Sequence, residues 1–138
     1  MGTPFSAVYE TFLRKITDFG MMQEYDDVVE KELYGYMLSA IPKFKKIKSD
    51  LGKRNLETLS FEDELLDVEV EILALQMVGE WIEPQLNSNL YTQQFFGTKD
   101  ERFFNQRGQI EMLMALKRRA DNDARMLRRD YSMQKLIS

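Results

Sequence analysis

The side chains available for chemistry are a restricted set, because the chain has neither cysteine nor histidine. That removes thiol nucleophiles, Ser/His/Asp and Cys/His triads, ordinary zinc and haem sites and the commonest proton shuttle. Carboxylates, lysines, arginines and hydroxyls remain. The acids Glu62, Asp63, Glu64, Asp67, Glu69 and Glu71 have the chemistry for a metal site or an acid/base pair. On a helix, however, they scatter around the polar side and lack the loop spacing of a calcium site, so a solvated face is the expectation. The glycine at Gly97, with Thr98 and Lys99 after it, lacks the rest of a phosphate-binding loop. No catalytic residue, metal site or cofactor is read, and an enzyme is not expected. A second set is basic: Arg118, Arg119, Arg125, Arg128 and Arg129, with Tyr131 closing the run. Arginine suits bidentate contact with phosphate or carboxylate. Asp121, Asp123 and Asp130 are interleaved, which favours a protein partner over sequence-specific DNA binding.

The net charge of −4 conceals an asymmetry. Residues 1–100 sum to −8 and residues 101–138 to +4, so the chain is a dipole in sequence. With 138 residues, 43% of them hydrophobic, and only three prolines, it reads as one folded, mostly helical domain. The first twenty residues have no long apolar core behind basic residues, so no signal peptide is expected. Met1, Gly2 and Ser6 match a myristoylation start, a pattern short enough to arise by chance. No run approaches a membrane span.

The elements that must position these residues follow from periodicity. Leu65 to Ile82 places Leu65, Val68, Ile72, Leu75, Met77, Val78, Trp81 and Ile82 on one broad apolar arc, the mark of a central helix. Pro84 should close it sharply at Glu83. A first helix carries Phe5, Val8, Tyr9, Phe12, Leu13, Ile16 and Phe19, with Thr3 as N-cap and Gly20 as stop. A second starts near Tyr25 to Asp27 and runs toward Phe44, with Pro42 forcing either a kink near Leu38 to Ile41 or a break and restart. Residues 50–60 form a connector, with Gly52 and Asn55 as turn residues. Ser60 should cap a helix just ahead of the central one. Residues 84–104 read as a loop carrying Phe95, Phe96, Phe103 and Phe104, within which Asn89 to Phe96 could be one short helix. A last helix, Gln106 to Tyr131, would be ~39 Å long. The expectation is an all-α bundle of about four helices: a helical core domain over 1–104, with a docking loop at 84–104, and a long basic C-terminal helix and tail over 105–138 in the same domain.

Four stretches also resemble a known family. YETFLRKITDF (Tyr9 to Phe19), YGYMLSAIPKFKKIKSDL (Tyr34 to Leu51), EILALQMVGEWIEPQLNS (Glu71 to Ser88) and RRDYS (Arg128 to Ser132) resemble the head-tail connector, or adaptor, proteins of tailed bacteriophages. The motifs are packing motifs without a catalytic signature. The resemblance implies a virion protein, made in the host cytoplasm, that forms a ring, commonly of twelve copies, beneath the portal at the phage neck. Such a ring would extend the DNA channel, lie close to double-stranded DNA without specific contact, and dock the next neck or tail protein, with no membrane involved. Arg118, Arg119, Arg125, Arg128, Arg129 and Tyr131 would then contact the portal or a neighbouring subunit, and Phe95, Phe96, Phe103 and Phe104 would anchor the loop at an interface. The competing expectation is a DNA-binding regulatory or packaging module using the same arginines, whose binding would weaken steeply with salt.

Overall fold

A computed structural model describes the backbone of residues 2–18, 27–96 and 101–137, and side chains over 2–17, 28–88 and 108–133. Its elements are α1 (Phe5–Asp18), α2 (Asp27–Ala40), a 3₁₀ turn (Ile41–Lys43), β1 (Arg54–Asn55), β2 (Ser60–Phe61), α3 (Asp67–Phe96) and α4 (Glu101–Ile137). The chain is all-α in class, with four helices and a two-stranded antiparallel ribbon among the described residues. α1, α2 and α4 all pack on α3, and the α3–α4 contact is the most extensive. The apolar arc on α3 is broad because three helices need it. Ile72, Leu73, Met77, Val78 and Ile82 are all fully buried.

Aromatic rings lock the body together. Phe12 meets Trp81 edge-on with centroids 5.9 Å apart, and Phe5 meets Phe61 at 5.0 Å. Between α3 and α4 the packing is of another kind. Ala74, Ala120 and Ala124 are buried, and a Cβ at Gly79 would lie 3.1 Å from an Asp121 side-chain oxygen. Small residues let the two helices come close.

Several expectations are corrected. Thr3 does not cap α1: its hydroxyl accepts from the Leu65 amide at 2.8 Å, and its carbonyl accepts from Phe61 N–H at 2.8 Å. The N-terminal segment is thereby stitched to β2, with Pro4 bridging Ser60. The approach is so close that a Cβ on Gly2 would lie 1.5 Å from the Phe61 carbonyl oxygen. Ser60 starts no helix; it pairs with Asn55 across the ribbon. Asn55 turns the ribbon, its side-chain oxygen accepting from the Glu57 and Thr58 amides. Pro42 produces the break and restart: α2 ends at Ala40 and the proline sits in the first turn of the 3₁₀ segment.

The largest difference concerns Pro84, which does not end α3. The helix runs through it to Phe96. Proline removes one backbone donor, here the one that would reach the Glu80 carbonyl, but the helix continues because α4 packs along it. The Gln85 side chain donates to the Trp81 carbonyl at 3.1 Å, so a side-chain amide serves the backbone beside the proline. Most of the expected 84–104 loop is therefore helical, and α4 begins at Glu101 rather than Gln106. At 30 and 37 residues, α3 and α4 span ~45 and ~55 Å. No described helix is long and apolar enough to cross a membrane.

Candidate functional site

α3 and α4 place polar side chains at two levels. The inner level begins at Glu69. As the third residue of α3 it accepts from the Leu66 amide at 2.8 Å through Oε1, half of a capping box. The same oxygen accepts from the Ser49 hydroxyl at 3.0 Å, and Oε2 accepts from the Tyr131 hydroxyl at 2.9 Å. Tyr131 in turn accepts from the Lys48 amide at 2.7 Å, and its ring lies edge-on to Phe44 at 5.7 Å. Glu69 is 0% exposed. The expected solvated acid face therefore fails at this member, because a carboxylate can be buried when its oxygens are met by donors. Glu71 is half-buried and ion-paired with Lys15, while Glu62, Glu64 and Asp67 are exposed. Burial raises the Tyr131 pKa; the Lys48 amide opposes this, and the bond to Glu69 adds to it.

Two turns along, the buried Gln76 side chain donates to the Ala40 carbonyl at 2.8 Å and accepts from Arg128 at 2.7 Å. A single glutamine thus ties the end of α2 to α4. One turn further on, Lys43 pairs with Glu80. The hydrogen bond to Glu80 raises the Lys43 pKa against desolvation, keeping it a cation. Glu69, Gln76 and Glu80 recur along α3 at seven- and four-residue steps, as Asp121, Arg128 and Tyr131 recur along α4 at seven and three. Sequence reading passed over the first set as ordinary helix polarity. The signal was polar residues recurring inside an otherwise apolar arc.

The outer level is the exposed side of α4. Arg118, Arg125 and Arg129 are exposed and, at ~100° per residue, fall within roughly 40° of one another on the helix. Arg125 is braced by its neighbour, donating to the Asn122 side chain at 2.6 Å. Met114, also exposed, lies on the same side. Arg119 is exposed too, but falls on a different side, beside Lys15, Glu71, Asp123 and Asp130. Arg128 turns inward to Gln76, and Tyr131 is buried on Glu69. Of the six residues expected to make external contacts, then, three share one exposed face. Phe95 and Phe96 end α3, and Phe103 and Phe104 lie in the first turn of α4; their side chains fall outside the described residues. No cluster of acids suited to a metal ion occurs among the described residues.

No protein-family model, curated protein or solved structure matches this chain.

Proposed function

We propose that the chain is a structural subunit of a head-tail connector at the neck of a tailed phage, assembling into a ring that docks a portal on one side and a neck or tail protein on the other. The observation that carries this reading is the thin packing of α3 and α4 over the described residues 83–88 and 108–119. Burial on α3 stops at Ile82, residues 83–88 are exposed or half-buried, and between 108 and 119 only Ile110 and Leu113 are buried. In helices of ~45 and ~55 Å, these described stretches keep only a narrow packed seam. A monomeric globular protein has little use for such stretches, whereas a subunit that reaches its neighbour does. Between them in sequence lie the four phenylalanines at 95, 96, 103 and 104, candidates for the anchor.

Charge supports the same role. A head-to-tail ring needs two different complementary surfaces on each subunit. Exposed Arg118, Arg125 and Arg129 supply a basic one, and the body contributes exposed acids such as Glu62, Glu64 and Asp67. The role is structural, with no chemistry assigned to any residue.

The test is mass and shape: light scattering and electron microscopy on the purified chain, alone and mixed with portal-bearing capsids. Rings forming alone or on portals, and lost when Arg118, Arg125 and Arg129 are all changed to Glu, are the expected result. A chain that stays small, ignores portals and instead binds duplex DNA with steep salt dependence would replace this reading with the DNA-binding module.

A further inference from the structure

A second basic feature lies apart from the exposed arginine face and belongs to no helix alone. Where the 3₁₀ turn meets the α3–α4 seam there is a half-open cleft of about 370 Å³. Lys43 and Lys45 line it from the turn, Lys117 and Arg128 from α4, and Gln76 from α3. Pro42 puts the two lysines there. By ending α2 and starting a 3₁₀ turn, it directs the chain across α3 instead of along it.

The charges in this cleft do not balance. Of the four cations, Lys43 is matched by Glu80, and Lys117 stands 3.9 Å from Asp121 at the edge of ion-pair range. Arg128 spends one N–H on a neutral amide oxygen and keeps further donors. No carboxylate pairs with Lys45 among the described residues. Glu83 also acts on Lys43, so an excess of about one positive charge, with unspent donors on Lys45 and Arg128, is held in a recess also lined by Gly79 and Ala124. Like charges brought together repel unless an anion joins them.

We infer that this cleft is a binding site for a phosphate-type oxyanion, held by Lys43, Lys45, Lys117 and Arg128. A terminal phosphate carries about −1.5 to −2 at neutral pH and three acceptor oxygens, and a phosphodiester backbone sets single charges in series, so either offers these donors more than one carboxylate does. Lysine ammoniums are rotatable point charges suited to phosphate, and the arginine adds a planar fork. No aromatic side chain lines the recess, so a base or ring would gain no stacking. The charged group is the part recognised. Its source is a phosphodiester backbone or a free polyphosphate, and the inference stands independently of ring formation.

The full chain is titrated with inorganic pyrophosphate, and separately with a short DNA duplex, following backbone amide shifts by NMR and affinity by calorimetry. Amides near residues 43–45, 76–79 and 117–128 should move. Lys45→Glu, at an exposed position, should weaken pyrophosphate binding about tenfold or more, while Lys53→Glu, exposed on the ribbon side, should leave it within about twofold. Tighter binding of the duplex at these same amides assigns the phosphate to nucleic acid; tighter binding of pyrophosphate assigns it to a free ligand. Shifts confined elsewhere, a Lys45→Glu protein that binds like the parent, or a glutamate-rich peptide that outcompetes pyrophosphate would each overturn the site.

Discussion

The two halves of the α3–α4 hairpin are built on different principles. In the half where α3 begins and α4 ends, α1 and α2 cover α3 and a buried polar network joins three segments: Lys48 and Ser49 from the stretch between the 3₁₀ turn and β1, Glu69 from α3 and Tyr131 from α4. In the other half, described residues 83–88 of α3 are exposed or half-buried, and the described seam on α4 narrows to Ile110 and Leu113 over 108–119. The first half is over-determined, because removing one contact leaves buried donors without acceptors. The second, over its described residues, is held by one narrow seam. The contrast teaches where function should be sought. The thinly packed described stretch, residues 83–88 and 108–119, is where the proposed docking surface is sought.

That contrast can be broken from the well-packed side first. Glu69→Ala leaves the Tyr131 and Ser49 hydroxyls and the Leu66 amide without their acceptor, and should cost roughly 3 to 5 kcal/mol by urea denaturation. A loss below ~1 kcal/mol would mean that the network is not what fixes this half.

A change in the thinly packed stretch should act locally. Pro84→Ala restores a backbone donor within α3, and should stabilise the segment after it by about 1 to 3 kcal/mol. Slower hydrogen exchange at amides 85–88, with the body amides at 72–82 unchanged, is the expected pattern. If all amides slowed together, the two halves would be one cooperative unit.

The smallest effect is alkaline. The Tyr131 pKa is raised from 10.0 by burial, so the folded state holds this proton longer than the unfolded one. The resulting stabilisation is fully present below about pH 10 and is lost as pH rises through the folded pKa. Lys43 and Tyr36 are shifted in the same direction, Lys43 by its bond to Glu80 and Tyr36 by burial and then Glu32. Stability measured from pH 9 to 11.5 should fall, and Tyr131→Phe should flatten part of that fall. An unchanged slope in the variant would remove Tyr131 from the account.

Much of the fold was legible in sequence, because apolar side chains at three- and four-residue steps can be buried together only on a helix. The buried stripes of α1 and of α3 up to Ile82 and the start of α2 were readable this way; Pro42 announced an interruption, and the structure decided that it is a break and not a kink. So was the clustering of arginines on the last helix, although not which of them face outward. What failed has a common physical cause. Pro84 and Ser60 carry strong local preferences, a stop and a cap, and each was overruled by a distant strand or helix: α4 sustains α3 past Pro84, and Asn55 and Pro4 draw Ser60 into a ribbon. Glu69 shows the same limit for charge. A carboxylate belongs at the surface unless donors meet it inside, and its donors come from residues 49, 66 and 131. The sequence by itself determined the helices, their apolar faces and the separation of acidic from basic residues, since these depend on neighbours within a turn or two. Only the tertiary structure decided which carboxylate is buried, which arginines are exposed and that Lys43, Lys45, Lys117 and Arg128 share a cleft. Those outcomes rest on pairs of residues dozens of positions apart, whose meeting no local pattern encodes.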